Sequence, residues 1–137
     1  MAQTLKAGCI LINQATKQIG LIYRKKLNDY SFPKGHLEEN ETIEECAVRE
    51  TAEETKRDCK IVINEPIMNE YITPNGENCI CYMYLALDTG ASNNTSEDTH
   101  DLVWVDLEKV IDILTYDSLK QVWKKAYQQL LTIIDKF

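Results

Sequence analysis

Residues 33–57 read PKGHLEENETIEECAVRETAEETKR and contain the most uneven charge distribution in the 137-residue chain. Within them, residues 38–54 hold eight glutamates and a single base, Arg49, and so carry a formal charge of −7. This equals the formal net charge of the whole protein, because the acidic and basic side chains elsewhere cancel. The protein is therefore near neutral apart from one short acidic segment, which any functional interpretation has to explain.

The acidic segment predicts a helix with an unusual face. Thr42 followed three residues later by Glu45 is a capping-box pattern, so we expect a helix to begin there and to continue to about Thr55. One stripe of this helix begins apolar and ends in carboxylates: Ile43, Ala47, Glu50 and Glu54, with Cys46 and Glu53 alongside. Charged side chains are almost never buried without a partner, so a stripe that ends this way indicates more than core packing.

The carboxylates at the end of the stripe indicate a metal site. Glu50 and Glu54 are like charges four residues apart, which destabilises a helix, and Glu53 adds a third carboxylate. A hard divalent cation relieves this repulsion, and Mg²⁺ is commonly held by carboxylates together with substrate phosphates. The other glutamates near the start of the helix are expected to form a solvated surface: Glu38, Glu39, Glu44 and Glu45.

The residues just before the helix suit an anionic ligand. Lys34 can neutralise a phosphate oxygen, and Gly35 lets the backbone approach a phosphate or a metal closely. His36 is a candidate phosphate donor, with an ordinary structural role as the alternative. Together with the carboxylates downstream, these residues predict a site for a cation and a phosphate group.

The spacing of these residues resembles a known motif. The pattern G-x5-E-x7-R-E-x2-E-E over residues 35–54 is similar to the Nudix box, GX5EX7REUXEEXGU, in which U is a bulky aliphatic residue. Three positions depart from the box: Thr51 and Arg57 stand where U is expected, and Lys56 stands at the last glycine. A glycine there suits the left-handed residue that ends a helix. Lys56 either adopts that conformation at a cost of about 1 kcal/mol or lets the helix continue.

The resemblance implies a Nudix fold, an α/β/α sandwich around a mixed β-sheet, as a single domain over residues 1–137 with its box at 35–57. It also implies hydrolysis of a nucleoside diphosphate linked to another group, with Mg²⁺ or Mn²⁺ as cofactor. The implied catalytic and metal-binding residues are Gly35, Glu50, Glu53 and Glu54, with Glu50 or Glu54 also a candidate for orienting water. Arg49 and Glu41 are implied to be structural support, and Glu41 can also complete the metal site.

Features outside the box resemble the asymmetrical diadenosine tetraphosphate hydrolases. Residues 30–36, YSFPKGH, are similar to the W-x-x-P-K-G-H entry of that group, with tyrosine at the tryptophan position. Tyr71 lies close to where that group carries a base-stacking tyrosine, and Tyr82 continues the similarity. The acidic residue six positions before Trp104 is Asp98, which the resemblance places near the metals, with Glu97 as the alternative.

This resemblance implies cleavage of diadenosine tetraphosphate to ATP and AMP. The implied substrate-binding residues are Lys34, His36, Tyr71, Tyr82 and Arg24. Alternative substrates are damaged nucleoside triphosphates, diphosphoinositol polyphosphates and RNA 5′ ends. The last two would favour more basic residues around the pocket than the few present here. Alternatives of another class are a non-catalytic Nudix-like nucleotide-binding module and a purely structural acidic domain.

The rest of the chain predicts alternating strands and helices. Strands are expected at Leu5–Ile12, Gly20–Tyr23, Cys59–Ile63, Met68–Thr73, Cys79–Leu87 and Leu102–Val105. Residues 74–76 are expected to form a hairpin turn, and residues 25–35 and 88–101 to form turns and loops. Helices are expected at 107–114 and, from apolar residues at three-and-four spacing, at 119–134.

Composition narrows the setting. No apolar run approaches the roughly 18–20 residues of a membrane helix, and the apolar core near the N-terminus is too short for a signal peptide. The five cysteines are an odd number at irregular spacing, so we expect reduced thiols and a cytoplasmic protein, with Cys79 and Cys81 packed in the core. The acidic balance argues against duplex nucleic acid as a partner. We expect a monomer.

Overall fold

The computed structural model describes residues 3–136. Its strands are β1 (Thr4–Asn13), β2 (Gln18–Arg24), β3 (Asp29–Ser31), β4 (Lys34–His36), β5 (Arg57–Ile61), β6 (Ile67–Ile72), β7 (Asn78–Ala91) and β8 (Asp101–Asp106). Its helices are α1 (Ile43–Thr55), α2 (Val110–Ile113) and α3 (Asp117–Leu131), with 3₁₀ turns at Leu107–Lys109 and Ile134–Lys136.

The strands form one mixed sheet. Its central order is β3-β2-β1-β7-β5, while β4 pairs with β1, β6 with β7 and β8 with β2. The pairing of β1 with β7 is parallel, and the other pairings are antiparallel. Because side chains alternate along a strand, β1 contributes to two cores. Ala7 and Cys9 pack toward α1, whereas Ile10 and Ile12 pack toward α3. The predicted α/β/α sandwich around a mixed sheet is confirmed.

Helix α1 begins and ends as local sequence predicts. The Thr42 side chain accepts a hydrogen bond from the Glu45 backbone N–H, the Glu45 side chain accepts one in return from the Thr42 N–H, and the helix runs to Thr55. Lys56 then adopts the left-handed conformation, with φ 60° and ψ 30°, so the first of the two alternatives for this residue holds. Thr51 is fully buried, and its hydroxyl donates to the Ala47 carbonyl at 2.8 Å. That hydrogen bond is how a threonine occupies a position where a bulky aliphatic residue is expected.

Two loop predictions were partly wrong. Residues 25–35 contain β3 and most of β4, which are three residues each. Strand β3 pairs with the neighbouring strand β2, with Asp29 opposite Arg24, whereas β4 pairs with the distant strand β1, with Lys34 opposite Gly8. Strand β7 continues to Ala91 instead of ending at Leu87, because β5 stays paired with it across a register shift at Asp58. The Arg57 guanidinium also binds the Asp88 carboxylate at 2.9 and 2.7 Å, which fixes that end of the ladder.

The remaining predicted elements are present. Strands lie within a few residues of each predicted span, and the turn at residues 74–76 connects the antiparallel strands β6 and β7, with Gly76 at φ +83°. Helix α3 buries Leu119, Val122, Trp123, Ala126 and Leu130 on one side. Cys79 and Cys81 are buried, as predicted, and the five cysteines are free thiols. Among residues 3–136, no helix is both long enough and apolar enough to cross a membrane.

Candidate active site

Glu50 lies directly against the backbone of Gly35. The β4 strand passes over α1 at this point, and a Cβ atom built on Gly35 would overlap the Glu50 carboxylate. Cys46, one turn earlier on α1, points its thiol toward the Gly35 carbonyl at 3.6 Å. A side chain at position 35 would therefore displace Glu50, which explains in packing terms why a glycine is needed there.

Arg49 ties the acidic helix to the segment before it. Its Nε and Nη2 atoms donate to the two carboxylate oxygens of Glu41 at 2.6 and 3.0 Å. Nη1 donates to Glu53 Oε1 at 2.6 Å, and Nη2 donates to the His36 carbonyl at 2.9 Å. The first of these hydrogen bonds, to Glu41, raises the pKa of the guanidinium above its usual range. Arg49 is thus fully engaged in holding the loop and neutralising two of the box glutamates.

Glu50 and Glu54 are not neutralised in this way. Burial raises the pKa of Glu50 from its ordinary 4.5 to about 7, and the nearby Glu53 carboxylate raises it further than Arg49 lowers it. Burial likewise raises the pKa of Glu54 to about 7. Glu54 Oε1 accepts a hydrogen bond from the Lys34 backbone N–H at 3.0 Å, which aims the carboxylate at β4. Neighbouring carboxyl groups whose pKa values are raised by burial are typical of a functional site.

The donor set fits a hard divalent cation, although its side chains are not converged on one point. Within residues 3–136, no group of three or more His, Cys, Asp or Glu side chains is arranged closely enough to hold a metal. The Glu41 and Glu53 carboxylates face Arg49, to which both are hydrogen-bonded. The available donors are all oxygens, two of them carboxylates whose charge is destabilised by burial and by like-charge neighbours. This is the chemistry that Mg²⁺ and Mn²⁺ prefer.

Segment 92–100 brings a further acid toward the helix. The His100 N–H donates to the Glu54 carbonyl at 2.9 Å, which fixes the end of the segment on α1. A cavity of about 450 Å³ has Glu54, Glu97 and Asp98 on its walls. The negative charge of Asp98 is the smallest of the contributions that raise the pKa of Glu50, after burial and the Glu53 carboxylate.

A second cavity, of about 440 Å³, is lined by the first turn of α3 and by cationic and aromatic side chains. Three cations line it, Lys6, Arg24 and Lys34, together with the rings of Tyr71 and Tyr116. Burial lowers the pKa of Lys34, and the neighbouring charges of Lys6 and Arg24 lower it further. The Nζ atoms of Lys6 and Lys34 each lie 5.5 Å from the centroid of the Tyr71 ring. Among the described residues, neither lysine forms an ion pair with a carboxylate.

Arg24 is held by a buried acid. Its Nε and Nη2 atoms donate to the Asp29 carboxylate at 2.8 and 2.6 Å, and the Tyr116 hydroxyl donates to the same carboxylate at 2.6 Å. Asp29 is 1% exposed. Burial opposes ionisation of Asp29, but the hydrogen bonds from Arg24 and Tyr116 hold its pKa below the ordinary 3.8. The acid thereby fixes a cation and an aromatic ring on the wall of the second cavity.

The structure does not bring every predicted residue to this place. Tyr82 packs with the residues of the α1 face, whereas Tyr71 lies on the other face, so the sheet separates the two tyrosines. His36 is exposed, and its carbonyl is occupied by Arg49, while its ring is not among the groups that line the cavity. A larger and more open depression of about 730 Å³ lies between α1 and β5, away from these cations.

Sequence reasoning missed Lys6, Asp29 and Tyr116. Lys6 lies just before the apolar run of the first predicted strand. Its place on the wall of the second cavity depends on the pairing of β1 with β4, in which Lys6 lies opposite His36. Asp29 stands in a segment with turn composition, where an exposed aspartate is ordinary. An alternating strand pattern gives the face of Lys6 only after the partner strand is known.

The fold and the arrangement of residues 33–57 define the class of the protein. A family model described as the NUDIX domain matches residues 2–129, and the chain belongs to that family. The mRNA decapping complex subunit 2 of Schizosaccharomyces pombe is 29% identical over 133 residues, 93% of this chain and 17% of that protein. The 8-oxo-(d)GTP phosphatase of Mycolicibacterium smegmatis is 30% identical over 112 residues, 81% of this chain and 34% of that protein. The chain thus spans about a third or less of the length of these relatives.

A solved structure shares the fold over almost the whole of both chains. The C. elegans Ap4A hydrolase, in a binary complex, superposes with a TM-score of 0.76 over 94% of this chain and 98% of that chain, at 21% sequence identity. The predicted Nudix fold is therefore confirmed.

Proposed function

We propose that this protein hydrolyses a phosphoanhydride bond in nucleoside polyphosphates with the help of Mg²⁺ or Mn²⁺, and that its substrate is diadenosine tetraphosphate, cleaved to ATP and AMP. The observation that carries the proposal is the cluster of cations in the second cavity, beside the buried carboxylate of Glu54. Lys34 links the two, because its side chain lines the cavity and its backbone N–H binds Glu54.

The cations of the cavity are the phosphate-binding groups of the proposal. Lys6 and Lys34 have no carboxylate partner among residues 3–136, and their mutual repulsion is relieved when an anion lies between them. Arg24 is preorganised by Asp29, so it can present its remaining N–H groups without losing side-chain freedom on binding. A chain of several phosphates satisfies three such cations better than a single phosphate does.

The carboxylates are the hydrolytic groups of the proposal. Glu50, Glu53, Glu54 and the Gly35 carbonyl would hold a divalent cation, which would supply Lewis acidity and neutralise the charge that develops on the phosphate oxygens. Glu54 lines a cavity, so its carboxylate can orient a water molecule and accept its proton. The water oxygen bonds to phosphorus, the bridging P–O bond breaks, and the leaving phosphate takes the electron pair. Asp98 adds a fourth carboxylate at this edge.

The aromatic groups account for a nucleoside. Tyr71 presents a ring next to Lys6 and Lys34, so a base stacked on it places its phosphates beside the two ammonium groups. We assign the stacking role to the Tyr71 ring; its hydroxyl is buried and has no hydrogen-bond partner among the described residues. Stacking does not select adenine over other bases.

A second candidate substrate is a damaged nucleoside triphosphate, because a relative 30% identical to this chain is named 8-oxo-(d)GTP phosphatase. The same cavity can hold a triphosphate with one base. RNA 5′ ends are a further candidate, because the other relative is a subunit of the mRNA decapping complex. A non-catalytic binding module remains the alternative of another class, and it predicts binding without turnover.

A hydrolysis panel tests the proposal. The purified protein is incubated with diadenosine tetraphosphate, 8-oxo-dGTP, unmodified triphosphates, capped RNA and a diphosphoinositol polyphosphate, in Mg²⁺ and in EDTA. We expect selective cleavage of diadenosine tetraphosphate in Mg²⁺, with ATP and AMP as products, and none in EDTA. Two molecules of ADP would contradict the proposed cleavage position, and preference for another substrate would contradict the substrate assignment. Binding with no turnover would support the module.

Paired variants separate the roles. Glu54→Gln should reduce kcat by about two orders of magnitude or more while the protein stays folded. Tyr71→Ala should raise KM for nucleotides, while Tyr71→Phe keeps the ring and loses no hydrogen bond, so it should behave like the wild type. Near-wild-type turnover by Glu54→Gln would show that the hydrolytic groups have been misassigned.

A further inference from the structure

Segment 92–100 has no regular secondary structure, yet it is attached to the C-terminal end of α1 at four points. The Ser92 N–H donates to the Lys56 carbonyl at 2.9 Å, and the His100 N–H donates to the Glu54 carbonyl at 2.9 Å. The Thr99 hydroxyl donates to the Glu53 carbonyl at 3.3 Å. The fourth attachment is a hydrogen bond from Lys56 Nζ to the Ser96 carbonyl.

The fourth attachment differs from the other three. The first three use backbone carbonyls of residues 53–56, which any residue type supplies. The fourth needs the long side chain of Lys56, and it holds the middle of the segment instead of its ends. Ser96 in turn accepts a hydrogen bond from the Asp98 N–H on its hydroxyl at 3.1 Å. A shift of Ser96 therefore shifts Asp98.

Lys56 makes this contact from a backbone conformation that suits glycine. Its φ of 60° lies in the left-handed region, where a non-glycine residue is disfavoured. The side chain thus provides a contact that glycine cannot make, at a position where glycine would relieve backbone strain. Backbone strain that is held in place by surrounding contacts is typical of functional sites.

We propose that Lys56 is a positioning residue, whose ammonium group holds segment 92–100 against α1 so that Asp98 stays beside Glu54 at the cavity of about 450 Å³. This inference rests on the proposed function, since it assigns a role within the same site. In this role Lys56 acts through Asp98 and needs no contact with the phosphates or the reacting water.

Lys56→Gly is the informative variant, because it removes the ammonium group and relieves the backbone at the same time. We expect a melting temperature equal to that of the wild type or up to about 4 °C higher. We expect kcat for the best substrate of the hydrolysis panel to fall about tenfold, with a much smaller change in KM. Lys56→Arg, which keeps a long cationic donor, should recover most of kcat. Unchanged kcat in Lys56→Gly would overturn the inference, and so would failure of the arginine variant to recover it.

A double-mutant cycle tests the route through Asp98. If Lys56 acts by placing Asp98, then the Lys56→Gly/Asp98→Asn double variant should lose no more activity than Asp98→Asn alone. Fully additive losses would mean that Lys56 acts on another group, which contradicts the inference.

Hydrogen exchange supplies a readout that does not depend on turnover. Amides of residues 92–98 should exchange at least about fivefold faster in Lys56→Gly than in the wild type, whereas amides of β1 should not change. Equal exchange in segment 92–98 would show that no such attachment exists. If exchange changes as expected but the wild type hydrolyses nothing in the panel, the proposed function is wrong and the catalytic part of the inference is wrong with it, while the attachment itself is established.

Discussion

The carboxylate of Glu50 rests on the backbone of Gly35, at a distance that leaves no room for a Cβ atom between the two residues. This contact joins β4, which carries the proposed phosphate-binding residue Lys34, to α1, which carries the carboxylates. It therefore fixes the relative position of Lys34 on one strand and Glu54 on the helix, which also share a backbone hydrogen bond of 3.0 Å. The two halves of the proposed site are held together by these two contacts.

Gly35→Ala should disrupt the site without unfolding the protein. The methyl group forces Glu50 to move, at an expected cost of about 1–3 kcal/mol in the free energy of unfolding. The stabilisation of the protein by Mg²⁺, measured as the shift in melting temperature between EDTA and Mg²⁺, should be lost or greatly reduced. Gly76→Asn is a suitable control, because Gly76 has open space around it and Asn tolerates its positive φ. An undiminished Mg²⁺ shift in Gly35→Ala would remove Glu50 from the metal site.

Glu50 and Glu54 should make the protein less stable as the pH rises. A carboxyl group with a folded-state pKa of about 7 and an ordinary pKa of 4.5 binds its proton more tightly in the folded protein. Between those two values the folded state holds more protons than the unfolded state, so the free energy of unfolding falls with rising pH. In EDTA, Glu50→Gln should remove part of this slope and be roughly 2 kcal/mol more stable than the wild type at pH 8.

The measurement for this prediction is urea unfolding of both proteins at pH 5 and pH 8. The exposed Glu39 provides the control, since Glu39→Gln should leave the slope unchanged. Parallel slopes for the wild type and Glu50→Gln would show that Glu50 is not the group responsible.

The elements that sequence predicted well are the ones that local interactions specify. The capping box of Thr42 and Glu45 sets the start of α1, and the apolar spacing of α3 sets its buried side. The placement of Tyr71 and Tyr82 on opposite faces of the sheet was not predicted, because it depends on the register between β6 and β7. Cys79 and Cys81 were expected to share a face, so Tyr82, the residue after Cys81, faces the other way. The sequence does not show that Tyr71 pairs with Cys79, which places Tyr71 on the face of the two cysteines. The role of Asp29 was not predicted for a related reason: Tyr116, which donates a hydrogen bond to its carboxylate, comes from a distant part of the chain.

Arg49 should matter for both stability and activity. Arg49→Met leaves Glu41, Glu53 and Glu50 close together without a cation, which should cost about 3 kcal/mol and lower kcat. Arg57→Met is the matched control, because Arg57 also binds a carboxylate through two N–H groups but lies at the β5–β7 edge. Thermal unfolding should show destabilisation in both variants, whereas steady-state kinetics should show lower kcat only for Arg49→Met. Equal kcat in the two variants would assign Arg49 a role in stability alone.

Asp29 should control substrate affinity through Arg24 and Tyr116. Asp29→Asn replaces one carboxylate oxygen by an N–H donor, so Arg24 loses a hydrogen bond and faces a group of the wrong polarity. We expect KM for a polyphosphate substrate to rise about tenfold with little change in kcat, because Arg24 contacts phosphates that are bound similarly before and during the reaction.

Asp88→Asn separates this effect from simple loss of an ion pair. Asp88 binds Arg57 with the same two-point geometry, at 2.9 and 2.7 Å, and lies away from the cationic cavity. Both variants should lose stability. The hydrogen bonds that lower the pKa of Asp29 stabilise the folded protein above the pKa of an unfolded aspartate, and this contribution is lost as the pH falls. The margin by which the wild type is more stable than Asp29→Asn should therefore be smaller at pH 3 than at pH 6. If KM rises equally in Asp88→Asn, the change reflects general loosening of the sheet, and Asp29 has no particular part in holding the substrate.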